Sequence, residues 1–382
     1  MIHRIARILL YISAFLGLVV VVGTGLGALD SNIWWFRMWD YPRLQLAISA
    51  VIAVLGLIAG STMLKQFKAW VLVAIALLAG AFGMQAYELY DYSPWSENMS
   101  SAATADQSQV ANLTVLVSNV LQKNDKRQAA VEMVRQHQPD IVLFLETDQA
   151  WVDHLMVLTD TYPHKVSVPQ DNTYGLLMLS KLPLEKTQVR KIMEKKVPSV
   201  ETMIQLRDGR QVRFYGLHPK PPAPQESKTS LPRDAELLLV GEEIRETPDV
   251  PTIVAGDMND VSWSRNTTRF LETSNTLDPR RGRGLFNTFD ADLPVLRMPL
   301  DHVFHTPDFT IVRVKRLAGI HSDHFPLLVT LNLMRKDYGE SETLALDQKD
   351  AKQVQGTLNK AADSTKAKKF NEGENMDVDA QR

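Results

Sequence analysis

The sequence predicts an α/β domain of two packed sheets with helices outside, preceded by three transmembrane helices. Two observations lead to this fold class. Apolar, uncharged runs crowd the first ninety of the 382 residues, and many short apolar strands with relatively few helices follow between residues 112 and 333. A chain of this length exceeds one ordinary domain. The strand-rich pattern favours two sheets packed face to face, with the helices covering them.

Three apolar runs near the amino terminus have the length of membrane spans. No charged residue interrupts residues 8–29, 44–64 or 69–86. About twenty residues at a rise of ~1.5 Å cross a hydrocarbon core about 30 Å thick, so each run is long enough to span it. A buried helix of a globular protein is the alternative for any single run. Three runs in succession, joined by short polar links, favour a membrane domain over residues 1–90.

Charged residues around the spans indicate which side of the membrane the rest of the chain occupies. Four basic residues precede the first span or lie in the link between the second and third: Arg4, Arg7, Lys65 and Lys68. Residues 88–112 carry acidic but no basic side chains, whereas Arg37 and Arg43 weaken the bias slightly. By the positive-inside rule, we expect a multi-pass protein of the inner (plasma) membrane with its later domain on the periplasmic or extracellular side. A cleaved signal peptide is the alternative for the first run, and it leaves this orientation unchanged.

Composition excludes several kinds of chemistry. The chain has no cysteine, so structural disulfides, thiolate zinc sites and cysteine nucleophiles are excluded. The formal net charge is −2, so the chain lacks the overall excess of positive charge that is typical of nucleic-acid-binding proteins. Local basic clusters remain open as binding sites.

Composition also divides the chain after the spans. Residues 91–111 are rich in Ser, Asn and Ala and read as a linker, with a flexible tether over 92–109. Residues 112–335 read as one globular catalytic domain, with helices predicted at 126–138, 233–245 and 264–273. Residues 336–382 turn polar, which predicts a disordered tail with a transient helix around 351–362.

The segment PTIVAGDMND, residues 251–260, is the most informative motif. A β-branched apolar run predicts a buried strand that stops at Gly256, Asp257 and Asn259. A carboxylate and a carboxamide are thereby placed at the carboxyl end of a strand, where ligand sites of layered α/β folds lie. Gly-Asp-x-Asn is also good turn chemistry, so the motif alone is only moderately specific.

Further polar residues stand at the ends of other predicted strands. They are Asn119, Glu146, His218, Asp301, Asp323 and His324. Oxygen donors such as Asn119 and Glu146 suit magnesium or manganese rather than zinc, and the histidines suit proton transfer. Taken singly, Asn119 is more typical of a turn. Glu146 differs, because a carboxylate at the end of the apolar run IVLFL needs a partner. His302 and His321 flank these motifs and are interpreted as structural or surface residues.

The ordered motifs SNV, LFLETD, LHPKP, GDMND, LDHVF and SDHFPL resemble the endonuclease/exonuclease/phosphatase superfamily. That superfamily includes DNase I-like nucleases, abasic-site endonucleases, neutral sphingomyelinases and inositol polyphosphate 5-phosphatases. The resemblance covers residues 113–333. It implies a four-layer αββα sandwich and hydrolysis at phosphorus assisted by a divalent metal. Asn119 and Glu146 are then expected to hold Mg²⁺, with Mn²⁺ as the alternative, and Asp323 to lie close to the metal.

The resemblance also implies roles in catalysis. Asp257 would position or deprotonate the attacking water, or act at the leaving group, and Asn259 would stabilise charge on the phosphoryl group. Asp301 would pair with His324, fixing its tautomer and raising its basicity. His218 would contact the phosphate, as in the DNase I and sphingomyelinase branches.

Two segments are candidates for substrate contact. Residues 219–232 follow His218 and are stiffened by prolines, so they could form a wall of the cleft. Arg280, Arg281 and Arg283 cluster before the penultimate motif and either engage phosphate or form a solvated basic turn.

The sequence therefore predicts a membrane-anchored, divalent-metal-dependent phosphoesterase acting on phosphodiesters outside the cytoplasm, with nucleic acid as first candidate substrate. A phospholipase C- or sphingomyelinase-like activity, or a phosphomonoesterase activity, is the alternative among enzymes. A non-catalytic module that binds a phosphorylated ligand is the alternative of another class. The expected partners are the phosphodiester substrate and the lipid bilayer, with no obligate protein partner.

Overall fold

A computed structural model describes residues 1–104, 112–334, 343–363 and 376–377. The chain begins with helices α1 (Ile2–Gly27), α2 (Trp34–Arg37), α3 (Arg43–Met63) and α4 (Ala69–Tyr90). The long helices α1, α3 and α4 have the length and apolar composition needed to cross a membrane. They coincide with the three predicted spans.

A polar cluster joins the three long helices near the end of the bundle that faces the rest of the chain. Arg43 donates to the side-chain oxygen of Gln85 at 3.2 Å, and Gln85 donates to the hydroxyl of Thr24 at 2.9 Å. One residue thus comes from each helix. A polar group in an apolar bundle requires such a partner, so the cluster fixes the register of the helices.

The described residues after α4 form twelve strands and five α-helices. The strands are β1 (Asn112–Asn119), β2 (Ile141–Leu145), β3 (His164–Val168), β4 (Leu176–Ser180), β5 (Leu184–Arg190), β6 (Ser199–Gln205), β7 (Gln211–Leu217), β8 (Thr252–Asp257), β9 (Asp301–His305), β10 (Phe309–Arg316), β11 (Leu327–Leu333) and β12 (Met376–Asp377). The helices are α5 (Arg127–His137), α6 (Gln149–Leu155), α7 (Leu231–Arg245), α8 (Arg265–Ser274) and α9 (Gln348–Asp363).

The strands form two six-stranded sheets, with the orders β10-β11-β1-β2-β4-β3 and β12-β5-β6-β7-β8-β9. Apolar side chains from both sheets, such as Val115, Leu143, Phe214 and Ile253, form the core between them. A second core lies between the first sheet and helices α5 and α6, and a third between the second sheet and helices α7, α8 and α9. The domain is therefore the predicted four-layer αββα sandwich.

The segment that follows the third span differs from the predicted flexible tether. Tyr92 is buried and donates to the carbonyl oxygen of Ser262 at 2.7 Å. Ser100 bonds the ring of His305 at 2.8 Å, and the amide of Ala103 donates to the carbonyl of Ile311. Residues 92–104 thus lie against the catalytic domain, because their few aromatic and hydroxyl groups find buried partners there. Residues 105–109 lie outside the described residues.

The tail also differs from the prediction where it is described. Helix α9 packs Val354, Leu358 and Ala361 into the core beside α7. The predicted helix around residues 351–362 therefore exists, but it is a packed element because its apolar residues recur at helical spacing. Residues 335–342, 364–375 and 378–382 of the tail lie outside the described residues.

The loop between α1 and α3, residues 28–42, contacts the catalytic domain. Its backbone bonds the segment before α7 through Trp34 to Lys228 and through Ser230 to Asn32. The indole of Trp263 donates to the carbonyl of Asp40 at 2.7 Å. The 28–42 loop and the later domain therefore lie at the same end of the three-helix bundle.

Candidate active site

The strand directions bring the predicted polar residues to one edge of the sandwich. Strands β1 and β2 are parallel, as are β7 and β8, so their carboxyl ends lie at the same edge of each sheet. Strands β9 and β11 run antiparallel to β8 and β1, so they begin at that edge. The amide of Asn119 at the end of β1 lies 3.2 Å from Asp257 at the end of β8. This contact joins the edges of the two sheets at the site.

The end of β8 requires the glycine of the GDMND motif. Gly256 has a φ of +150°, and a Cβ at this position would lie 1.8 Å from the carbonyl oxygen of Leu217. Only glycine permits this close approach of β7 and β8. The chain then turns, with Asn259 at a φ of +50°, and the amide of Asn259 donates to Asp257 at 2.9 Å. The side-chain amide of Asn259 donates to the carbonyl of Pro219 at 3.0 Å.

Three predicted oxygen donors lie beside Asp257. Asn119 donates to Glu146 at 2.9 Å, and the other carboxylate oxygen of Glu146 accepts the amide of Gln122 at 3.2 Å. Asp323 lies close enough to Glu146 for the two charges to repel each other. Burial raises the pKa of Glu146 and of Asp323.

A divalent cation fits this donor set. Burial, as the main cause, also raises the pKa of Asp257, so three carboxylates at one edge lose hydration. A divalent cation would offset the cost of keeping them ionised. Carboxylate and amide oxygens are the ligands that magnesium and manganese prefer.

Asp257, Asp301 and His324 form another group whose potential ligand atoms lie within 4.8 Å of one another. His324 bonds Asp301 through Nδ1 at 2.8 Å, and its Nε2 lies 3.5 Å from Asp257. Burial alone would lower the pKa of His324, but the carboxylates of Asp301 and Asp257 outweigh it and raise the pKa to about 10. A protonated imidazole is a cation and not a metal ligand. This trio is therefore better suited to proton transfer than to metal binding.

His218 also lies beside Asp257 and has a different character. Its Nε2 lies 3.9 Å from Asp257, and burial lowers its pKa. The ring of Tyr174 packs against the imidazole at a centroid distance of 5.3 Å, and the Tyr174 hydroxyl donates to Glu226 at 2.8 Å. The site thus contains one charged histidine, His324, and one neutral histidine, His218.

The structure adds residues to the site that the sequence did not single out. Ser322 donates to the carbonyl of Asn119 at 2.8 Å and accepts the amide of His324 at 3.1 Å, which links the two ends of the site. The ring of Phe289 packs on His324 at a centroid distance of 4.9 Å. Ser322 lies inside the SDHFPL motif, so the sequence contained a signal that could have identified it as a site residue. Phe289 and Tyr174 lie in loops where no pattern marks them.

The predicted phosphate-binding role of the arginine cluster is not supported by its contacts. Arg280 is buried and bonds Asp278 at 2.9 Å and the ring of His302. Arg281 pairs with Asp91 at 3.0 Å, and Arg283 donates to the carbonyl of Ser100 at 2.7 Å. Arg281 and Arg283 thus hold the segment after α4, whereas Arg280 holds His302, which is structural.

Known proteins resemble this chain in sequence profile and in structure. The profile of the Endonuclease/Exonuclease/phosphatase family matches residues 115–324. No curated protein matches the chain. Similar solved structures include TDP2 of D. rerio complexed with a single-strand DNA product, with 18% identity, a TM-score of 0.49, and coverage of 58% of this chain and 99% of that one.

Two further structures are similar over the same part of the chain. The human Nocturnin catalytic domain with bound sulfate anion has 16% identity and a TM-score of 0.49, covering 59% of this chain and 95% of that one. A family protein from Bacteroides thetaiotaomicron has 19% identity and a TM-score of 0.47, covering 59% and 98%. The family profile extends over more than half of the chain and includes the strand ends that form the site. The chain therefore belongs to the endonuclease/exonuclease/phosphatase family, whose members hydrolyse phosphoester bonds with the help of metal ions.

Proposed function

We propose that this protein is a membrane-anchored, divalent-metal-dependent phosphoesterase that hydrolyses phosphodiester bonds outside the cytoplasm. One observation carries the proposal. The amide of Asn119 lies within hydrogen-bond distance of both Glu146 and Asp257, so the oxygen donors and the acid–base groups meet at one point. Hydrolysis at phosphorus requires both kinds of group at the same place.

Asn119, Glu146 and Asp323 would hold the metal, with Mg²⁺ as the expected ion and Mn²⁺ as the alternative. When bound, the ion would supply positive charge to the non-bridging oxygens of the phosphoryl group. The side chain of Asn119 is held at both ends, because its nitrogen donates to Glu146 and Asp257 and its oxygen accepts the amide of Leu121 at 3.0 Å. Ser322 fixes its backbone.

Asp257 and the residues around it would carry out proton transfer during hydrolysis. Asp257 is a buried carboxylate whose pKa is raised by burial, which suits a group that positions water and accepts a proton from it. His324 is cationic beside it and is held by Asp301, so it can donate to the phosphoryl or leaving-group oxygen. His218 is neutral and can donate a hydrogen bond to the phosphate. Asn259 forms the turn after β8 and lies at the same edge of the sandwich, where it would stabilise charge on the phosphoryl group.

The charge pattern supports a position outside the cytoplasm. Arg4, Arg7, Lys65 and Lys68 lie at the ends of the spans away from the catalytic domain, and the positive-inside rule predicts that such ends are cytoplasmic. A reporter enzyme fused after Arg382 tests this placement. Activity only outside the cytoplasm is expected, and activity inside would reverse the orientation.

Nucleic acid is the first candidate substrate, since a tethered nuclease can reach nucleic acid outside the cell. A lipid headgroup is the second candidate, and a specific observation favours it. The 28–42 loop contacts the turn that carries Asn259, because Tyr41 donates to the carbonyl of Asn259 at 2.7 Å. The site therefore lies beside the spans, within reach of the bilayer surface.

The test uses the full chain in lipid nanodiscs, wild type beside His324→Ala. Both are incubated with Mg²⁺ or EDTA against plasmid DNA, RNA, sphingomyelin and bis-p-nitrophenyl phosphate. We expect metal-dependent cleavage that the substitution reduces by ~10²–10⁴-fold. Turnover of none of the four by a folded, metal-binding protein would favour a narrow-specificity phosphatase or a non-catalytic phospholigand-binding module.

A further inference from the structure

One loop at the site presents aliphatic side chains to the outside of the protein. The 289–298 loop leaves five consecutive residues exposed, positions 292–296. The exposed fractions of Leu293, Val295 and Leu296 are 49%, 76% and 43%. Aliphatic residues scattered singly on a surface are ordinary, but three at the tip of one loop form an unpartnered apolar patch.

The base of the 289–298 loop is attached to the ends of the spans. The side-chain amide of Gln45 donates to the carbonyl of Arg297 at 3.3 Å, and Gln45 is the third residue of α3. Phe289 and Met298 share an apolar cluster with Leu89, which lies one residue before the end of α4. The base of the loop is thus joined to the ends of α3 and α4 that face the catalytic domain.

The same loop is attached to the catalytic groups. The amide of Ala291 donates to the carbonyl of Asp323 at 2.7 Å, and the ring of Phe289 packs on His324. Arg297 and Arg316 lie over the ring of Phe325 at 4.9 Å and 4.4 Å. Two cations therefore lie together at the base of the loop. Cationic groups next to an apolar tip are typical of segments that lie in the headgroup region of a bilayer.

We propose that the 289–298 loop inserts its tip, Leu293, Val295 and Leu296, into the membrane leaflet on the side of the catalytic domain. The inserted loop presents the site to phosphoester headgroups of lipids in that same leaflet. The insertion stands on the loop contacts alone, whereas the lipid substrate rests on the proposed phosphoesterase function. Lipid, the second candidate substrate above, is the one that this loop supports, because the loop contacts both the helix ends and the catalytic groups.

Insertion is tested by site-specific fluorescence on the full chain in phosphatidylcholine nanodiscs. The chain has no cysteine, so Val295→Cys places a single environment-sensitive NBD label at the tip. Val157→Cys is the matched control, because Val157 is also an exposed valine (52%) but lies beyond α6 in the helical layer of the other sheet. We expect lipids carrying a nitroxide near the headgroup to quench the label at 295 at least twofold more than the label at 157. Aqueous iodide should quench the label at 295 less.

Equal quenching at both positions would overturn the insertion. In another outcome, the label at 295 is shielded from iodide without being quenched by nitroxide lipid. That result would mean that a protein surface, such as a second copy of the chain, covers the tip, and it would also overturn the proposed insertion.

The substrate is tested with the triple variant Leu293→Ser, Val295→Ser, Leu296→Ser. We expect turnover of a fluorogenic phosphodiester lipid in the nanodisc to fall at least tenfold. Cleavage of soluble bis-p-nitrophenyl phosphate should stay within twofold, because none of the three side chains lies among the catalytic groups. Equal loss on both substrates, or wild-type cleavage of plasmid DNA in preference to the lipid, would overturn the lipid assignment. Absence of all metal-dependent cleavage by the wild type would instead refute the phosphoesterase function, while the fluorescence result would still decide the insertion.

Discussion

The hydroxyl of Tyr41 donates a 2.7 Å hydrogen bond to the carbonyl oxygen of Asn259. Arg233 donates to the same carbonyl and to the Tyr41 hydroxyl, so the turn after β8 is held from the membrane side and from α7 together. The amide of Asn259 in turn donates to Asp257. The 28–42 loop is therefore part of the support of the candidate active site.

Tyr41→Phe should lower kcat by about 3- to 10-fold, the cost of one net hydrogen bond of about 0.5–1.5 kcal/mol. The effect is limited because Arg233 keeps its bond to the same carbonyl. The measurement is kcat and KM for bis-p-nitrophenyl phosphate in nanodiscs, and KM should change little. Tyr87→Phe is the control, since Tyr87 is exposed on the third span. Equal activity of the two variants would show that the contact does not support the site.

Arg37→Met should destabilise the attachment of the 28–42 loop. Arg37 is buried and pairs with Asp40 at 2.7 Å and with Asp260 at 3.4 Å. Its loss leaves part of a buried carboxylate charge uncompensated, which costs about 3 kcal/mol. Thermal unfolding of the full chain in nanodiscs should show a lower Tm. Arg210→Met removes a partly exposed pair with Asp208, for which about 0–1 kcal/mol is expected. An equally small change in both variants would contradict a stabilising role of the buried network.

Asp301→Asn should remove the charge that holds His324 in its cationic form. The substituted side chain keeps its shape, but the pKa of His324 loses the main contribution that raises it. We expect kcat to fall by ~10²–10⁴-fold with the fold intact. His321→Asn is the control, because His321 is exposed and Asn tolerates its φ of +65°. Full activity of the Asp301 variant would exclude His324 from proton transfer.

Glu146→Gln should weaken binding of the divalent metal. The variant keeps the size of the side chain and removes one carboxylate of the oxygen donor set. We expect the dissociation constant for Mg²⁺, measured by calorimetry on EDTA-stripped protein, to rise at least tenfold. Glu226→Gln removes a carboxylate that bonds Tyr174 at the edge of the site and should leave the constant within twofold. Equal affinities of both variants would remove Glu146 from the metal site.

Glu236 should make stability depend on pH. Burial raises the pKa of this carboxyl to about 7 from an ordinary 4.5, although Ser199 donates to it at 2.8 Å. The folded state then holds the proton more tightly than the unfolded state between about pH 4.5 and 7. The free energy of unfolding consequently falls as pH rises through this window, by up to about 3 kcal/mol.

Glu236→Gln should abolish this fall. The Tm of the variant relative to wild type should increase by several degrees between pH 5 and pH 8. The exposed residue Glu132, changed to Gln, should show no such trend. Parallel Tm profiles for all three proteins would refute an elevated pKa at Glu236.

The positions of the site residues could be predicted where an apolar run stops at a polar residue. Asn119, Glu146 and Asp257 each follow such a run, and the carboxyl ends of parallel strands meet at one edge of a sheet. The three spans and helices α5, α7 and α8 were predictable for a similar reason, since their periodic or continuous apolar patterns are local.

Contacts between distant segments could not be predicted. The bond between Tyr41 and Asn259 joins residues 218 positions apart, and no local pattern indicates that these two residues meet. Composition suggested a tether after the third span, but burial of Tyr92 depends on Ser262 and Trp263, which only the fold brings near. Strands β3 and β5 were not predicted, because their mixed polar residues give only a weak apolar alternation.

The catalytic domain is held to the three-helix bundle at two places, by the 28–42 loop and by residues 92–104. If the bundle is embedded in a bilayer, an enzyme held in this way does not move freely on a flexible linker. Its active site stays at a fixed distance from the surrounding lipids. If those lipids are its substrate, the rate depends on the surface density of substrate lipid in the bilayer and not on the bulk concentration of lipid in the sample. Diluting the bilayer with inert lipid would slow such an enzyme, whereas adding more vesicles of the same composition would not speed it.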